Sequence, residues 1–322
     1  MKRILSGVQP SGRPHIGNYL GAMRQHIEMQ KDYECFLFIA DLHALTTVRD
    51  AELMRKQTYE LAVSYLALGL DPSKTVFFKQ SDVSAHAELC WIFDCITKVP
   101  FIEKAHAWKD AQAKGKKEIT VGLFHYPVLM SADILLYQPD IVPVGKDQKQ
   151  HVEIARDIAA NFNKTFGETF KLPDPFIKEE VAVVPGTDGQ KMSKSYGNTI
   201  DIFADDATLK KQVMGIVTDS TPLEKAKDPK TCNVFNLYKL LANETEVQEL
   251  ASKYKAGGFG YGEAKKTLLA KILETFAEAR TKYNDLLPQK DYVYEVLQEG
   301  AKKANAKAQI TLTAVKKKIG YL

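Results

Sequence analysis

The sequence is poor in cysteine, in charge of one sign and in long apolar runs. Its cysteines number 4 in 322 residues (Cys35, Cys90, Cys95 and Cys232), too few and too scattered for a disulfide framework. No Cys-x-x-Cys pair occurs, so a cysteine-built zinc site is not expected, and a reducing cytoplasm is the expected compartment. No stretch approaches the roughly 18 consecutive apolar residues of a membrane span. The opening MKRILSGVQP also lacks the apolar core of a secretory signal, so no membrane association is expected. Lys and Arg total 44 against 40 Asp and Glu, and the resulting +4 permits a nucleic-acid partner without demanding one. There is no internal repeat and no low-complexity segment. What remains is an ordinary globular composition, 45% hydrophobic and 26% charged, long enough for about two domains.

Short apolar runs punctuate the first half: 4–8, 35–40, 76–78, 141–144 and 181–184. The run Cys35 to Ala40 has no polar alternation, which fits a strand buried on both faces. Helical periods separate these runs, as over 51–70, where Leu61, Tyr65 and Leu68 recur on one stripe. The alternation predicts an α/β fold, a Rossmann-like doubly wound parallel sheet covered on both sides. Such sheets bind ligands beyond the carboxyl ends of their strands. The turn after Val8, the segment 41–43 and the segment 145–147 therefore share one candidate cleft. After about residue 200 helical periods dominate, as over 236–241 and 265–276. All 7 histidines fall in the first half, so the active site is expected there. The expected division is 1–190, carrying the sheet, and 191–322, a helical domain whose last helix can pack back on the first. Glycines at 257, 258, 260 and 262 resemble a phosphate loop by count, but no strand signal precedes them closely, and a helix–helix connection is the better reading.

Two stretches carry chemistry on their own residues. Gln9-Pro10-Ser11-Gly12-Arg13-Pro14-His15-Ile16-Gly17-Asn18 follows the first strand and opens a helix. Gly17, lacking a Cβ, allows close backbone approach, and a helix start offers unpaired N–H groups to phosphate. His15 and Asn18 stand one turn apart and can face one ligand; a plain strand–turn–helix corner is the competing reading. Lys191-Met192-Ser193-Lys194-Ser195 lies in a glycine-bearing loop, where two lysines can bring cations to a polyphosphate as charge develops. A solvated charged loop is the alternative. Asp133 is a lone acid among Leu129, Met130, Ala132, Ile134 and Leu135, a costly neighbourhood for an unpaired carboxylate. It either meets backbone or solvent, or recognises a ligand. His43 ends the second strand, an address that favours the cleft, whereas His151 can simply cap or pack near its helix.

Together these stretches resemble the class I aminoacyl-tRNA synthetases. His15-Ile16-Gly17-Asn18 is similar to the family's HIGH signature, and 191–195 matches its KMSKS signature letter for letter. Gln9-Pro10-Ser11-Gly12 followed by Gly17-Asn18-Tyr19, the helix Tyr126-Pro127-Val128-Leu129-Met130-Ser131-Ala132-Asp133, the stretch 143–151 and Val217-Thr218-Asp219-Ser220 resemble the bacterial tryptophanyl-tRNA synthetase branch, and the likeness spans essentially the whole chain. That resemblance implies ATP-dependent attachment of L-tryptophan to tRNA(Trp) through an adenylate, with Mg²⁺ carried on ATP. It implies catalytic roles for His15, Asn18, Lys191, Lys194 and Ser195. It assigns ATP contacts to Gln9, Pro10, Ser11, Gly17, Asn18, Gly145, Lys146, Asp147, Val183, Val184 and residues 191–195, including Met192 and Ser193. Val183 or Val184 is expected to end the last strand against adenine. Tryptophan falls to Asp133, as acceptor of the indole N–H, with Met130, Tyr126, Gln148 and His43. A site built to receive a donor rejects side chains that lack it; the handling of phenylalanine by the related tyrosine enzyme is the known precedent.

There are departures. Asn18 stands in place of a histidine, and Ala107 falls where some relatives carry a glutamine on the amino-acid end. Only Cys232 lies in the helical half, so no iron–sulfur cluster is expected. Lys302, Lys303, Lys307, Lys316, Lys317 and Lys318 follow Glu299 without an intervening acid. They suit either a polyanionic tRNA or the C-terminal dipole of a helix. Family members act as homodimers, and 89–93 suits an interface or a core equally. The rivals are a tyrosine enzyme, a non-catalytic RNA-binding paralogue and a plain nucleotidylyltransferase.

Overall fold

Phe36, Leu37, Phe38 and Ile39 are all buried, because their strand has a neighbour on each side and helices over both faces. The computed structural model describes residues 1–105, 108–109, 120–145, 148–177 and 183–322. Five strands, β1 (Arg3–Val8), β2 (Glu34–Ile39), β3 (Thr75–Lys79), β4 (Ile141–Pro143) and β5 (Asp174–Phe176), form one sheet in the order β3-β2-β1-β4-β5. All pairings are parallel, with β1 registered on β2 from Arg3↔Glu34 to Val8↔Ile39. The doubly wound fold expected from the apolar runs is therefore present. The order reverses between β1 and β4, the point at which sheets of this type open a ligand crevice.

Four strands lie where the apolar runs put them, and the fifth does not. The last strand is 174–176, whereas 181–182 lie outside the described residues and Val183 and Val184 are not in a strand. The reason is physical: β5 is a three-residue edge strand, largely exposed, reading Asp-Pro-Phe, so it has no apolar run to announce it.

The sheet belongs to a compact unit made of Met1–Gly12, Gln25–Glu179 and Gln289–Leu322. Its helices include α1 (Ala51–Ala67), α2 (Ala85–Asp94), α3 (Val121–Leu136) and α4 (Lys149–Phe166). Asp50 caps α1 by accepting from Leu53 N–H at 2.9 Å. The core face of α4 buries Val152, Ala155, Ile158, Ala159 and Phe162 at the helical interval. Each large apolar side chain among them contributes about 1.5–3 kcal/mol.

A second unit comprises Arg13–Arg24 and Glu180–Pro288. It holds α5 (Asp206–Met214), α6 (Asn233–Lys239), α7 (Glu244–Ala256), α8 (Tyr261–Thr275) and α9 (Ala277–Leu286). Asn243 and Glu246 close a capping box at the start of α7. The glycines after residue 256 link α7 to α8, as expected of a helix–helix connection. Lys227 is buried in this unit, with its ammonium donating to the carbonyls of Pro222, Leu223 and Lys225.

The chain then returns to the first unit as α10 (Lys290–Ile319), a 30-residue helix against β3. β3 is an edge strand, and α10 covers it. Gly300 makes this approach possible: a Cβ there would lie 1.8 Å from the carbonyl oxygen of Phe77.

Candidate active site

In the second unit the early corner and the lysine loop are in contact. Residues Ile16–Asn18 form one helical turn that runs into a π-helical stretch, Tyr19–Met23. His15 caps the turn: its Nδ1 accepts from the Asn18 N–H at 3.2 Å, and Asn18 Oδ1 accepts from the His15 N–H at 3.1 Å. Asn18 is thus fitted to this corner by a reciprocal cap. Because Nδ1 accepts, the imidazole hydrogen sits on Nε2, which is left as a donor. Burial, and then the positive charge of Lys194, hold the His15 pKa down at about 4, so the ring is neutral at physiological pH.

The loop closes on that corner through Met192. Its Sδ accepts from the Gly17 N–H at 3.3 Å, while Ile16 N–H donates to the Ile200 carbonyl at 3.0 Å. A Cβ on Gly17 would lie 2.9 Å from His15 Nδ1 and 3.3 Å from Met192 Cβ. Glycine is therefore required here first by the protein's own packing. Met192 is buried, whereas Lys191, Lys194 and Ser195 are exposed, so the signature divides into an apolar anchor and an outward set of polar groups. Ser193 Oγ lies 2.8 Å from Ser195 Oγ and accepts from its N–H. Val184 is bound into the loop, its carbonyl accepting from Met192 N–H at 2.9 Å, while Val183 is 67% exposed.

One buried residue that sequence reasoning did not single out organises this loop. Asn198 accepts from the Ser193 N–H at 2.7 Å and donates to Asp188 Oδ1 at 2.7 Å and the Lys191 carbonyl at 3.1 Å. It stands three residues beyond the signature, and only its position next to a glycine hinted at a role.

In the first unit Asp133 is buried, with 1% of its surface exposed, and among the described residues no backbone group bonds it. Among the described residues three side chains reach it: His43 Nε2 at 2.8 Å on Oδ2, and Gln80 Nε2 and His86 Nδ1, each at 2.7 Å, on Oδ1. Burial alone would raise its pKa; the hydrogen bonds and electrostatic attraction of His43 and His86 outweigh that and bring it to about 2. The acid is ionised and accepts only. Tyr126, Met130 and Asp133 recur at helical spacing on α3, and the first two are only partly buried. Tyr126 lies edge-on to His43 at 6.2 Å and its hydroxyl is 2.9 Å from His151 Nε2. His43 follows β2 and Gln80 follows β3, at the carboxyl ends of those strands.

The other expected residues fall at two strand ends. Gln9 and Ser11 are exposed and Pro10 is buried directly after β1; Gly145 is exposed after β4, and Gln148 immediately precedes α4. Lys146, Asp147 and Ala107 lie outside the described residues. Gln80 and His86 were missed because neither stands in a chemical motif. The only hint was that a buried carboxylate requires partners.

Parallel strands ordered 3-2-1-4-5 and a histidine-capped turn held to a two-lysine loop define a nucleotide-handling α/β protein of the class I synthetase type. The family model for class I tRNA synthetases (W and Y) matches residues 1–277. The chain belongs to this family. Within it, the chain is 54% identical to the tryptophan–tRNA ligase of Fusobacterium nucleatum, over 100% of this chain and 99% of the other. The tryptophanyl-tRNA synthetase of Campylobacter jejuni, in a crystal structure complexed with ADP and tryptophan, is 51% identical with a TM-score of 0.94, covering 99% of each chain. That from Mycoplasma pneumoniae is 31% identical with a TM-score of 0.82, covering 99% and 98%. The tyrosyl-tRNA synthetase of Archaeoglobus fulgidus, 20% identical with a TM-score of 0.64, shares the fold.

Proposed function

We propose that the chain attaches L-tryptophan to tRNA(Trp) in two steps, with ATP carrying Mg²⁺ as the co-substrate. Tryptophan's carboxylate attacks the α-phosphorus of ATP, forming tryptophanyl-adenylate and releasing diphosphate. The terminal adenosine of the tRNA then attacks the adenylate carbonyl and AMP leaves. The observation that carries this reading is the contact between Gly17 and Met192, which holds the histidine-capped turn and the two-lysine loop together.

Each group then has a task its chemistry suits. His15, neutral with its hydrogen on Nε2, donates to a phosphate oxygen without adding a buried charge. Gly17, Asn18, Gln9, Pro10 and Ser11 present the backbone and polar edge of that corner to ATP. Lys191 and Lys194 meet the polyphosphate as charge moves onto the leaving diphosphate, assisted by Ser193 and Ser195. Val183, whose side chain is outward, is the better candidate for adenine, since the Val184 carbonyl is committed to Met192. Gly145 serves the ribose side and Gln148 the amino-acid side. Asp133 takes the indole N–H, while Met130, Tyr126 and His43 line the ring. No step demands a protein nucleophile; positioning and electrostatic stabilisation supply the rate.

The helical half and the lysines of α10 are offered to the tRNA, with residues 1–190 as the catalytic portion and 191–322 as the loop and anticodon-binding portion. A homodimer belongs to this reading. Trp91, in the 89–93 segment, is 68% exposed, an apolar surface that a second copy would cover. With the function goes a cytoplasmic location.

The test is amino-acid-dependent exchange of labelled diphosphate into ATP. Tryptophan should drive exchange and tyrosine should not, and added tRNA(Trp) should then be charged. Exchange driven equally by tyrosine, or none with either, would overturn the reading.

A further inference from the structure

The three donors around Asp133 do not leave its two oxygens alike. An ionised carboxylate only accepts, so each hydrogen must come from the partner. His86 Nδ1, 2.7 Å from Oδ1, therefore carries a hydrogen. His86 Nε2 lies 2.8 Å from the Tyr137 hydroxyl, so the far side of the ring is held by that phenol. Burial, and then the charge of Asp133, push the Tyr137 pKa up, so the phenol keeps its proton. The relay joins Tyr137 Oη to His86 Nε2, and His86 Nδ1–H to Asp133 Oδ1. The His86 ring packs among Phe38, Phe78 and Tyr137, with ring centroids at 5.8, 6.2 and 5.5 Å.

Gln80 Nε2 fills the other lone pair of Oδ1, and its own Oε1 is buried without a partner among the described residues. The amide thus faces the acid with its donor even though its oxygen goes unsatisfied. Among the described residues Oδ2 holds one bond, from His43, which leaves it one lone pair.

We propose that His86, held in place by Tyr137, is a positioning residue for amino-acid specificity: with Gln80 it saturates Oδ1 and leaves the open lone pair of Oδ2 for the incoming ring N–H. This rests on the reading of Asp133 as the indole acceptor. It adds that selection of the N–H depends on a relay beginning at a tyrosine that touches no substrate.

The test compares kcat/KM for diphosphate exchange with tryptophan and with β-(3-benzothienyl)alanine, in which sulfur replaces the ring N–H. The variants are Tyr137→Phe, His86→Leu and His86→Asn, each checked for folding by thermal melting. Wild type should prefer tryptophan strongly. Tyr137→Phe and His86→Leu should lower that preference roughly tenfold, the scale on which removing an outer hydrogen-bond partner disturbs a recognition group. The loss should sit in KM for tryptophan, with KM for ATP unchanged. His86→Asn, which keeps a donor toward Oδ1, should retain more of the preference than His86→Leu. If Tyr137→Phe and His86→Leu lose only melting temperature and keep the wild-type preference, the positioning role is refuted while the role of Asp133 stands. If wild type itself does not distinguish the two amino acids, the reading of Asp133 fails and the proposal with it.

Discussion

In the proposed reaction His15 and Lys194 divide the work at the phosphate end by charge. The imidazole is neutral and hydrogen-bonded in place, so it contributes a fixed donor, whereas the exposed Lys194 contributes a full cation. Fixed donors help ground state and transition state alike, and a cation set toward the leaving diphosphate helps most as negative charge develops. Lys194→Ala should therefore slow diphosphate exchange by on the order of 10²–10³ and leave tryptophan affinity nearly unchanged. Stopped-flow adenylate formation, set beside equilibrium tryptophan binding, checks this; equal losses in both would contradict it. At this scale the sequence was informative wherever one motif holds both partners. His15 and Asn18 were placed on one turn from their spacing, and they bond each other. Asp133 was marked as anomalous in apolar company, but its partners come from 53 and 47 residues away for Gln80 and His86. No local pattern records such a pairing.

Elements matter here through what pins them. The 191–195 loop is stapled by Asn198, which bonds two backbone groups of the loop and the Asp188 carboxylate. Removing the amide leaves the Ser193 N–H and the Lys191 carbonyl without those partners and releases both lysines from a fixed frame. Asn198→Ala should lower kcat for exchange by about 10²-fold, since small misplacements of reacting groups cost this much. Steady-state kinetics should show KM for tryptophan little altered. Gly300 pins the last helix. Glycine to alanine inside a helix usually gains about 0.5–1 kcal/mol. Here the new Cβ would collide with the Phe77 carbonyl oxygen at 1.8 Å, and overpacking typically costs about 1–3 kcal/mol. The steric cost wins, so Gly300→Ala should lower the melting temperature by a few degrees in differential scanning calorimetry. The strands at the centre of the sheet were legible as apolar runs, whereas β5, exposed and containing proline, was not.

Over the whole molecule, buried histidines tie stability to pH. His26 is held between Ser6 Oγ at 2.9 Å and the Tyr65 hydroxyl at 3.0 Å, and burial lowers its pKa to about 4. The unfolded chain takes up this proton near its ordinary value of about 6.5. The folded chain resists until about 4, so stability is full above 6.5 and is lost as pH falls between the two values. His15 has the same direction and the same window. Urea midpoints should therefore decline from pH 7 to pH 4.5. A His26→Asn variant, less stable at pH 7, should show a shallower decline, with His26 accounting for at most about 1.4 kcal/mol per pH unit. An unchanged slope would show that the proton uptake lies elsewhere.

By itself the sequence determined the strand–helix alternation, the strand–turn–helix corner and the lysine signature, because each is written in neighbouring residues whose spacing matches a turn, a strand or a loop. The tertiary structure alone decided which side chains meet the buried acid, which glycine must admit a backbone, and that the last helix covers the β3 edge. Those are contacts between residues far apart in the chain, and they are selected by packing and by the need of a buried charge for donors, neither of which leaves a local trace.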